Sequence, residues 1–507
     1  MRLPYPTRIN INHVLIAAVL LLFAQLLDGT DPVFAFLACL ALVFSAMAFN
    51  LLDGLSTTSG AFVFFLAIPT FIIPLFLKVF TWEPTNRHFE QPMITMSATA
   101  IGWAGILAAA GLSRRFSTRR NFVRFTAHDL ENLKNTSAGL LVIGLFSQIL
   151  LTNYNTGANG TVWAALNQLN IFVPMATILA TYYEICISRG TRSMNWIVIV
   201  SIFYVAGFGF IAASKQGMYQ PFFSYFLVCA ALEYRFRPLQ VMAMIAWLAF
   251  AIGFLFPWAQ YARSTTRQST LTGTVEATIN LLKDPATIPA MYQWYADSLK
   301  MNEDVNQVAL CYDHPHGLLD RESLICQDDR LIQVTQHTGP IGLSYLVEGF
   351  EMVIPHFLWP SRVNLYLGNI YGRETDEASA EDFTTEVSWA PIGDAYRELG
   401  WSGIVVAMPI LYFFTFIFLN GVFGDARESP WGLVLVAYAA LTAPGLLLPV
   451  HPQLWGHYVP MILLVMWITR YVAPQVAVLF GFRKLQAKIV MPGQELVPKT
   501  REVRNTL

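Results

Sequence analysis

The stretch LQVMAMIAWLAFAIGFLFP, residues Leu239–Pro257, is followed directly by WAQYARSTTR, residues 258–267. The first stretch is apolar apart from Gln240 and is long enough to cross a bilayer, which needs ~20 such residues. The second opens a segment, 258–402, rich in charged residues and tryptophan, that ends where the apolar stretch Gly403–Phe423 begins. The sequence therefore predicts a membrane-embedded chain with one large polar segment (258–402) between two spans.

Comparable apolar stretches recur before and after the polar segment. The 507 residues are 55% hydrophobic and only 13% charged, whereas soluble proteins carry about 25% charged residues. The other predicted spans are His13–Leu27, Val33–Leu52, Ala61–Phe80, Met93–Leu112, Ala138–Leu151, Ile171–Ile187, Trp196–Ala213, Tyr219–Tyr234, Trp431–Pro449 and Trp455–Thr469. We therefore predict an all-α polytopic membrane protein with about twelve transmembrane helices, in which the polar segment separates spans nine and ten.

Clusters of basic residues lie before span one, after spans four, six and eight, and at the end of the bundle. Their residues are Arg2, Arg8, Arg114, Arg115, Arg119, Arg120, Arg124, Lys134, Arg189, Arg192, Arg235, Arg237, Arg483, Lys484 and Lys488. Because basic joints stay in the cytoplasm, both termini are predicted to be cytoplasmic and the polar segment external. The chain then divides into spans one to nine (1–257), the external loop (258–402), spans ten to twelve (403–480) and a cytoplasmic tail (481–507).

The charge of the chain and the motifs that it lacks exclude several kinds of partner and cofactor. The net charge is -1 and the polar segment is acidic, which argues against a nucleic-acid partner. The chain lacks a Gly-rich phosphate loop, HExxH, GxSxG and a Cys-rich metal frame. We therefore predict neither a metal nor a cofactor.

Two of the five cysteines, Cys311 and Cys326, lie in the polar segment. An exported compartment permits disulfides, so we favour a Cys311–Cys326 bond over two free thiols. A zinc site that adds His314 and His316 is a weaker alternative, because its spacing matches no standard pattern.

Local patterns predict helices outside the spans. Apolar spacing predicts short helices at Val275–Leu282 and Ile288–Leu299, and an apolar helix within Gly342–Phe357, on the outer membrane face or over the mouth of the bundle. Asp376–Asp382 is acidic and rich in small residues, and is predicted to be mobile. A surface helix is predicted at Phe122–Leu133 on the cytoplasmic side.

Three cations lie at the external ends of spans. Lys215 occupies a tight turn after span seven, where it is either an interfacial anchor or an anion-binding group. Arg263 and Arg267 are four residues apart and share one helix face just after span nine. Two guanidinium groups suit a phosphate through planar, bidentate contacts; the alternative is ion pairing with the carboxylates of the polar segment.

Aromatic and histidine residues supply further candidates. Trp359, followed by Arg362 and Arg373, suits a sugar ring or an interfacial aromatic belt. His451 and His457 lie in the joint between spans eleven and twelve, where a histidine serves as acid, base or phosphate contact, or lies at the interface without such a role.

The end of the polar segment holds the candidate general base. Asp394, Arg397 and Glu398 lie within about one helical turn, and Tyr396 lies between them. A carboxylate here could deprotonate a sugar hydroxyl. The alternative is that the three charged groups neutralise one another.

Three motifs resemble, in this architecture, those of one bacterial enzyme family. They are Ser214-Lys215-Gln216-Gly217, Tyr261-Ala262-Arg263 and Gly393-Asp394-Ala395-Tyr396-Arg397-Glu398-Leu399-Gly400-Trp401-Ser402-Gly403. The first is similar to a Ser-Arg-Gly-like turn, the second to a Tyr-Arg-like element that opens a large loop. The third is similar to a Gly-Glu-x-Tyr-x-x-Phe-Gly-x-x-Gly-like stretch before the next span. Together they resemble the oligosaccharide repeat-unit polymerases, the Wzy-type O-antigen and exopolysaccharide polymerases.

The resemblance implies a metal-independent glycosyltransferase of the bacterial inner membrane. The growing glycan on undecaprenyl diphosphate would be transferred to a hydroxyl of an incoming lipid-linked repeat unit, with membrane lipids, a chain-length regulator and a flippase as further partners. Catalytic roles are assigned to Arg263, Arg267, Lys215, Asp394 and His451, and substrate binding to Arg362, Arg373, Trp359, Tyr396 and His457. The alternatives are an O-antigen ligase, or a polysaccharide exporter or flippase, which the small number of charges within the spans disfavours.

Overall fold

The computed structural model describes residues 1–116, 125–152, 168–266, 271–305, 311–313, 323–354, 358–359, 361–363, 365–383, 386–454, 456, 463–464, 466–467 and 470–479. These described residues are 76% helical, and no strand occurs among them. The predicted all-α class is confirmed for the part of the chain that the structure describes.

Long apolar helices make up the first half of the chain. In order they are α1 (Ile11–Leu27), α2 (Pro32–Leu51), α3 (Thr58–Ala67), α4 (Ile73–Phe80), α5 (Pro92–Phe116), α6 (Ala127–Thr152), α7 (Phe172–Ile187), α8 (Trp196–Ile211), α9 (Lys215–Ala231), α10 (Pro238–Phe250) and α11 (Phe256–Thr266). Two π-helical turns, Ile68–Ile72 and Ala251–Leu255, join α3 to α4 and α10 to α11. Each joined pair therefore forms one long helix.

Shorter helices fill the polar segment before the last long ones. They are α12 (Leu271–Lys283), α13 (Thr287–Val305), α14 (Leu324–Thr338), α15 (Ser344–Glu351), α16 (Leu367–Glu374) and α17 (Pro391–Leu399). After the polar segment come α18 (Met408–Phe423), α19 (Pro430–Thr442), α20 (Val450–Gln453) and α21 (Ala473–Leu479). A π-helical turn, Gly403–Ala407, leads into α18.

Within the described part of the chain, nine helical stretches have the apolar character of membrane spans. Five are long enough to cross a bilayer, namely Pro32–Leu51, Thr58–Phe80, Pro92–Phe116, Pro238–Arg263 and Gly403–Gly421. Shorter apolar helices are Ile11–Leu27, Phe172–Ile187, Trp196–Ile211 and Pro430–Gly445. A helix overlaps each of the first eleven predicted spans, whereas the twelfth, Trp455–Thr469, lies mostly outside the described residues. These helices are compatible with a membrane protein.

The local helix predictions differ from the structure mainly at their ends. Val275–Leu282 and Ile288–Leu299 lie within α12 and α13. In the predicted apolar stretch Gly342–Phe357, the described residues 342–354 are helical only over Ser344–Glu351. Pro355 follows in the sequence, and the residue before a proline disfavours the helical conformation.

The predicted surface helix Phe122–Leu133 was wrong in its extent. Residues 117–124 lie outside the described residues, and α6 runs without interruption from Ala127 to Thr152. Leu130 and Leu133 are almost fully buried, so the first turns of α6 pack on the bundle. This stretch is therefore the beginning of the helix that holds predicted span five.

Side-chain contacts anchor the acidic strip Asp376–Asp382, which was predicted to be mobile. Glu377 forms an ion pair of 2.8 Å with Arg330 of α14, and both side chains are largely buried. The Asn369 amide donates to the Asp382 carbonyl at 2.8 Å. The strip is thus fixed at both ends to neighbouring helices.

The centre of the bundle is formed by α2, α5 and α18. The fully buried rings of Phe71 and Trp103 pack edge to face with centroids 5.4 Å apart. A methyl group at Gly105 would lie 2.7 Å from Cγ of Pro409, so this glycine permits α5 and α18 to approach closely.

Joints from distant parts of the chain meet at one end of the bundle. The amino-terminal nitrogen of Met1 donates to the Phe236 carbonyl at 3.0 Å. The Ala426 amide donates to the Ser56 carbonyl at 2.7 Å. The chain terminus and the joints after α2, α9 and α18 therefore share this end.

A second set of joints meets through Thr85, in the joint between α4 and α5. The Thr30 hydroxyl, in the joint after α1, lies 3.0 Å from the Thr85 hydroxyl. In the same α4–α5 joint, Arg87 and His88 lie 2.9 and 2.8 Å from the carboxylate oxygens of Asp313. The polar segment is therefore docked where the α1–α2 and α4–α5 joints meet.

Candidate functional site

Helix α14 attaches the polar segment to the bundle through Asp329. Its carboxylate accepts from the Glu90 and Gln91 amides at 2.6 and 3.0 Å, and from the Thr95 hydroxyl at 2.6 Å. These donors surround the first turn of α5, whose amides have no partner inside the helix. Asp329 therefore caps α5, although it lies 234 to 239 residues further along the chain than the groups that it binds.

The neighbouring Asp328 holds the start of a different helix, α17. Its Oδ1 accepts from the Ala390 amide at 3.0 Å, and the side chain is fully buried. A methyl group at Gly393 would lie 2.4 Å from this oxygen. Only a glycine at this position leaves room for the buried carboxylate against the first turn of α17.

A disulfide joins Cys311 and Cys326, whose pairing the sequence favours over free thiols. Their Cα atoms are 5.7 Å apart. Because Cys326 belongs to α14, the bond ties this helix to Asp313 and hence to the α4–α5 joint. The alternative zinc site needs His314 and His316, which lie outside the described residues.

Lys215 and Arg263 meet at one joint. Nζ of Lys215, the first residue of α9, lies 3.7 Å from the ring centroid of Phe256 in α11. Arg263, also in α11, is exposed and donates from Nη2 to the Ala213 carbonyl at 3.3 Å. The stacking of Trp258 on Phe210, with centroids 4.7 Å apart, holds α11 on the end of α8. Two candidate phosphate-binding cations are thus brought to the same turn.

Asp394 and Glu398 form a buried pair of carboxyl groups, one turn apart on α17. Both are 0% exposed. Asp394 accepts from the Tyr371 hydroxyl at 2.8 Å and from the Leu448 amide at 2.6 Å. Burial raises the pKa of Asp394 to about 7. Burial, and then the charge of Asp394, raise the pKa of Glu398 to about 9.

His451 lies beside this pair. The Asp394 carboxylate holds the Leu448 amide, three residues before His451, and the His451 ring packs against Tyr412 with centroids 4.9 Å apart. Burial lowers the pKa of His451 to about 3, so its ring is neutral. The structure therefore brings the segments that hold the predicted catalytic residues Asp394 and His451 together, although helices α18 and α19 separate them in the chain.

Arg397 does not neutralise the carboxyl groups on its own helix. Its Nε donates to Glu374 at 2.9 Å, and its Nη1 donates to the Thr338 hydroxyl at 2.9 Å and to the Gly339 carbonyl at 2.8 Å. The alternative in which Asp394, Arg397 and Glu398 neutralise one another was therefore wrong, because Arg397 points to α14 and α16.

The predicted sugar-binding residues are dispersed over the polar segment. Trp359 is 38% exposed and donates to the Ser361 hydroxyl at 2.8 Å. Arg373 lies over the Phe383 ring at 4.5 Å. Partial burial lowers the pKa of Arg362. Tyr396 is 2% exposed and its hydroxyl accepts from Gln336, so this side chain packs inside the polar segment.

Two predicted site residues, Arg267 and His457, lie outside the described residues. Among the residues that are described, no group of three His, Cys, Asp or Glu side chains could hold a metal ion.

Some of the residues around the carboxyl pair could be predicted from the sequence, and others could not. The i,i+4 spacing of Asp394 and Glu398 already places both on one face of a helix. Nothing local in the sequence points to Tyr371 or Tyr412, which reach the site through tertiary packing. Asp328 and Asp329 stand out only as adjacent acids within a helix of mixed polarity.

No protein-family model, curated protein or solved structure matches this chain.

Proposed function

We propose that this protein polymerises lipid-linked oligosaccharide repeat units at the outer face of a bacterial inner membrane. The observation that carries the proposal is the buried Asp394–Glu398 pair beside His451, at the point where the polar segment meets the helix bundle. A desolvated carboxylate is a strong base, and deprotonation of a sugar hydroxyl is the step for which glycosyl transfer needs one.

The contacts between joints support a topology of twelve spans with both termini in the cytoplasm. In that topology, the chain terminus and the joints after α2, α9 and α18 are all cytoplasmic, and these joints touch one another. The joints after α1 and α4 and the polar segment are all external, and these also touch one another. The disulfide lies on the external side, where oxidation is permitted.

The cations at the α8–α9 joint suit the leaving group. The donor would be the growing glycan on undecaprenyl diphosphate, and the acceptor a hydroxyl of the next lipid-linked unit. Lys215 and the exposed Arg263 lie at an external joint in the proposed topology. Cations beside a developing diphosphate stabilise its charge without a metal.

Glycan length in a deletion strain tests this function. Loss of polymer, with single repeat units still displayed, and its recovery with the wild-type gene are the expected results. Loss of both polymer and single units from the lipid A–core, with accumulation of lipid-linked polymer, would identify an O-antigen ligase instead.

A polysaccharide exporter or flippase is the second candidate. The buried Asp394–Glu398 pair also favours it, because carboxyl groups of raised pKa bind and release protons near neutral pH. Accumulation of unpolymerised lipid-linked units on the cytoplasmic face of the deletion strain would support export and contradict polymerisation.

A further inference from the structure

Several polar atoms around Asp394 are buried without a hydrogen bond. They are both carboxyl oxygens of Glu398, the hydroxyl of Tyr412 and Nε2 of His451. All three side chains are 0% exposed. Buried polar atoms are almost always paired, because an unsatisfied one costs ~1–3 kcal/mol. Three such side chains at one place indicate that their partner comes from outside the chain.

Asp394 differs from Glu398 in its contacts. Each of its two oxygens accepts a hydrogen bond, one from Tyr371 and one from the Leu448 amide. These bonds fix the Asp394 carboxylate and favour its charged form over the protonated one. Glu398 has both oxygens available, so it is the better proton acceptor of the two.

The tautomer of His451 follows from Thr415. The Thr415 hydroxyl donates to the Leu411 carbonyl at 2.8 Å. The Thr415 oxygen also lies 3.1 Å from Nδ1 of His451. Because the Thr415 proton is already donated to Leu411, the imidazole N–H is the donor in this second contact. With the proton on Nδ1, the orphaned Nε2 is a bare acceptor. It is suited to orient a hydroxyl group and not to donate to a leaving group.

We propose that Glu398 is the general base that deprotonates the acceptor sugar hydroxyl, while His451 Nε2 and the Tyr412 hydroxyl orient that sugar. This assignment rests on the proposed polymerase function. As the acceptor oxygen bonds to the anomeric carbon of the donor, its proton passes to a Glu398 oxygen. The anomeric C–O bond breaks, and its electron pair leaves with the lipid diphosphate.

The surrounding charges agree with this role. The titratable groups close to Asp394 and Glu398 are Asp328 of α14, Tyr371 of α16 and Tyr412 of α18. The His451 ring of α20 packs on Tyr412. On α17 itself, Arg397 is bonded to Glu374. With a pKa of about 9, Glu398 is mostly protonated at neutral pH. The rate should therefore rise from about pH 7 and level off above about pH 9.

Glu398→Gln is the decisive variant, because the amide has the shape of the protonated acid but cannot take a proton. The matched control is Glu386→Gln, which changes an exposed carboxylate just before α17. Purified proteins would be reconstituted with lipid-linked repeat units extracted from the deletion strain. We expect Glu398→Gln to slow polymerisation by ~10²-fold or more and to remove the rise with pH. The control should retain the wild-type rate and its rise with pH.

Two further variants keep the proposal falsifiable if Glu398→Gln misfolds. Glu398→Asp should retain part of the rate, because it keeps a base at a greater distance. Asp394→Asn removes the negative charge that raises the proton affinity of Glu398, so it should shift the pH profile to lower pH. A wild-type rate in Glu398→Asp together with an unchanged pH profile in Asp394→Asn would overturn the proposal.

An infrared pH titration separates this inference from the proposed function. Wild-type protein should show a protonated carboxyl band at neutral pH that disappears above about pH 9, and Glu398→Gln should lack it. Wild-type polymerisation together with a wild-type rate in Glu398→Gln would overturn the base assignment alone. A wild-type protein that cannot extend the lipid-linked units would overturn the function, and the catalytic role with it.

Discussion

Asp328 and Asp329 are adjacent in the chain, yet they hold the first turns of two different helices. Asp329 binds the start of α5, and Asp328 binds the start of α17. Helix α14 therefore positions Asp394 and Glu398, which lie on α17, relative to the central helix of the bundle. The position of the site therefore depends on this pair of caps.

Removing the α5 cap should destabilise the protein. Asp329→Ala leaves the Glu90 and Gln91 amides and the Thr95 hydroxyl without an acceptor, and we expect a loss of ~1–3 kcal/mol. Thermal unfolding in detergent measures it, with the exposed Glu386→Gln as control. An unchanged midpoint would mean that water replaces the carboxylate.

Gly393→Ala tests the contact between α14 and α17. The added methyl group would lie 2.4 Å from a buried Asp328 oxygen, so α17 must shift, and activity should fall together with stability. Gly207→Ala is the matched control, because this helical glycine has no atom within 4 Å of the added group. Equal behaviour of the two variants in unfolding and polymer assays would contradict the close packing described above.

The cations of the α8–α9 joint should matter for turnover. If Arg263 binds the diphosphate, Arg263→Ala removes a charged hydrogen bond worth ~1.5–3 kcal/mol. Turnover should then slow by roughly ten- to a hundred-fold or more. Arg263→Lys should recover only part, since lysine lacks the planar fork.

The control for this prediction is Lys283→Ala, which removes an exposed cation at the end of α12. Glycan length and turnover are measured at matched membrane levels. Normal polymer from Arg263→Ala would reduce Arg263 to an anchor and move the diphosphate site towards Arg362 and Arg373.

The disulfide should contribute measurably to stability. Cys311 and Cys326 are 15 residues apart, and closing a loop of that length stabilises by about 3 kcal/mol. Replacing both by serine should lower the unfolding midpoint, and alkylation followed by mass spectrometry should find neither thiol free in fresh membranes. Full labelling without reductant would exclude the bond in the cell.

Reporter fusions test the topology. A reporter that is active only outside the cytoplasm should be active after Asp320, in the polar segment, and inactive after Arg120, in the joint between α5 and α6. This follows from the basic clusters, which stay in the cytoplasm. The reverse pattern of activity would invert the membrane orientation and exclude the proposed site from the external face.

The helices could be predicted from the sequence because their signal is local. An apolar run such as Leu239–Pro257 identifies itself by length and composition, and α10 and its π-helical continuation cover it. Helix ends were less predictable. Burial of Leu130 and Leu133, a tertiary effect, makes α6 longer than its apolar part.

The site was predictable only in part, for the same physical reason. Asp394 and His451 could be selected because each stands next to a span end in a polar context. That Asp394 is fixed by Tyr371 while Glu398 is left without a partner depends on packing between α16, α17 and α20, which no local pattern encodes. Nor does charge spacing reveal that Arg397 turns away to Glu374.

The cap that Asp329 places on α5 limits how this protein can be recombined. A chimera that exchanges residues 258–402 for those of another protein would remove the acceptor of the Glu90, Gln91 and Thr95 hydrogen bonds, and with it the partner of Arg87 and His88. The polar segment is thus not an independent module. A graft that is meant to change sugar specificity would have to carry the α4–α5 joint with it, so that both halves of the contact come from the same parent.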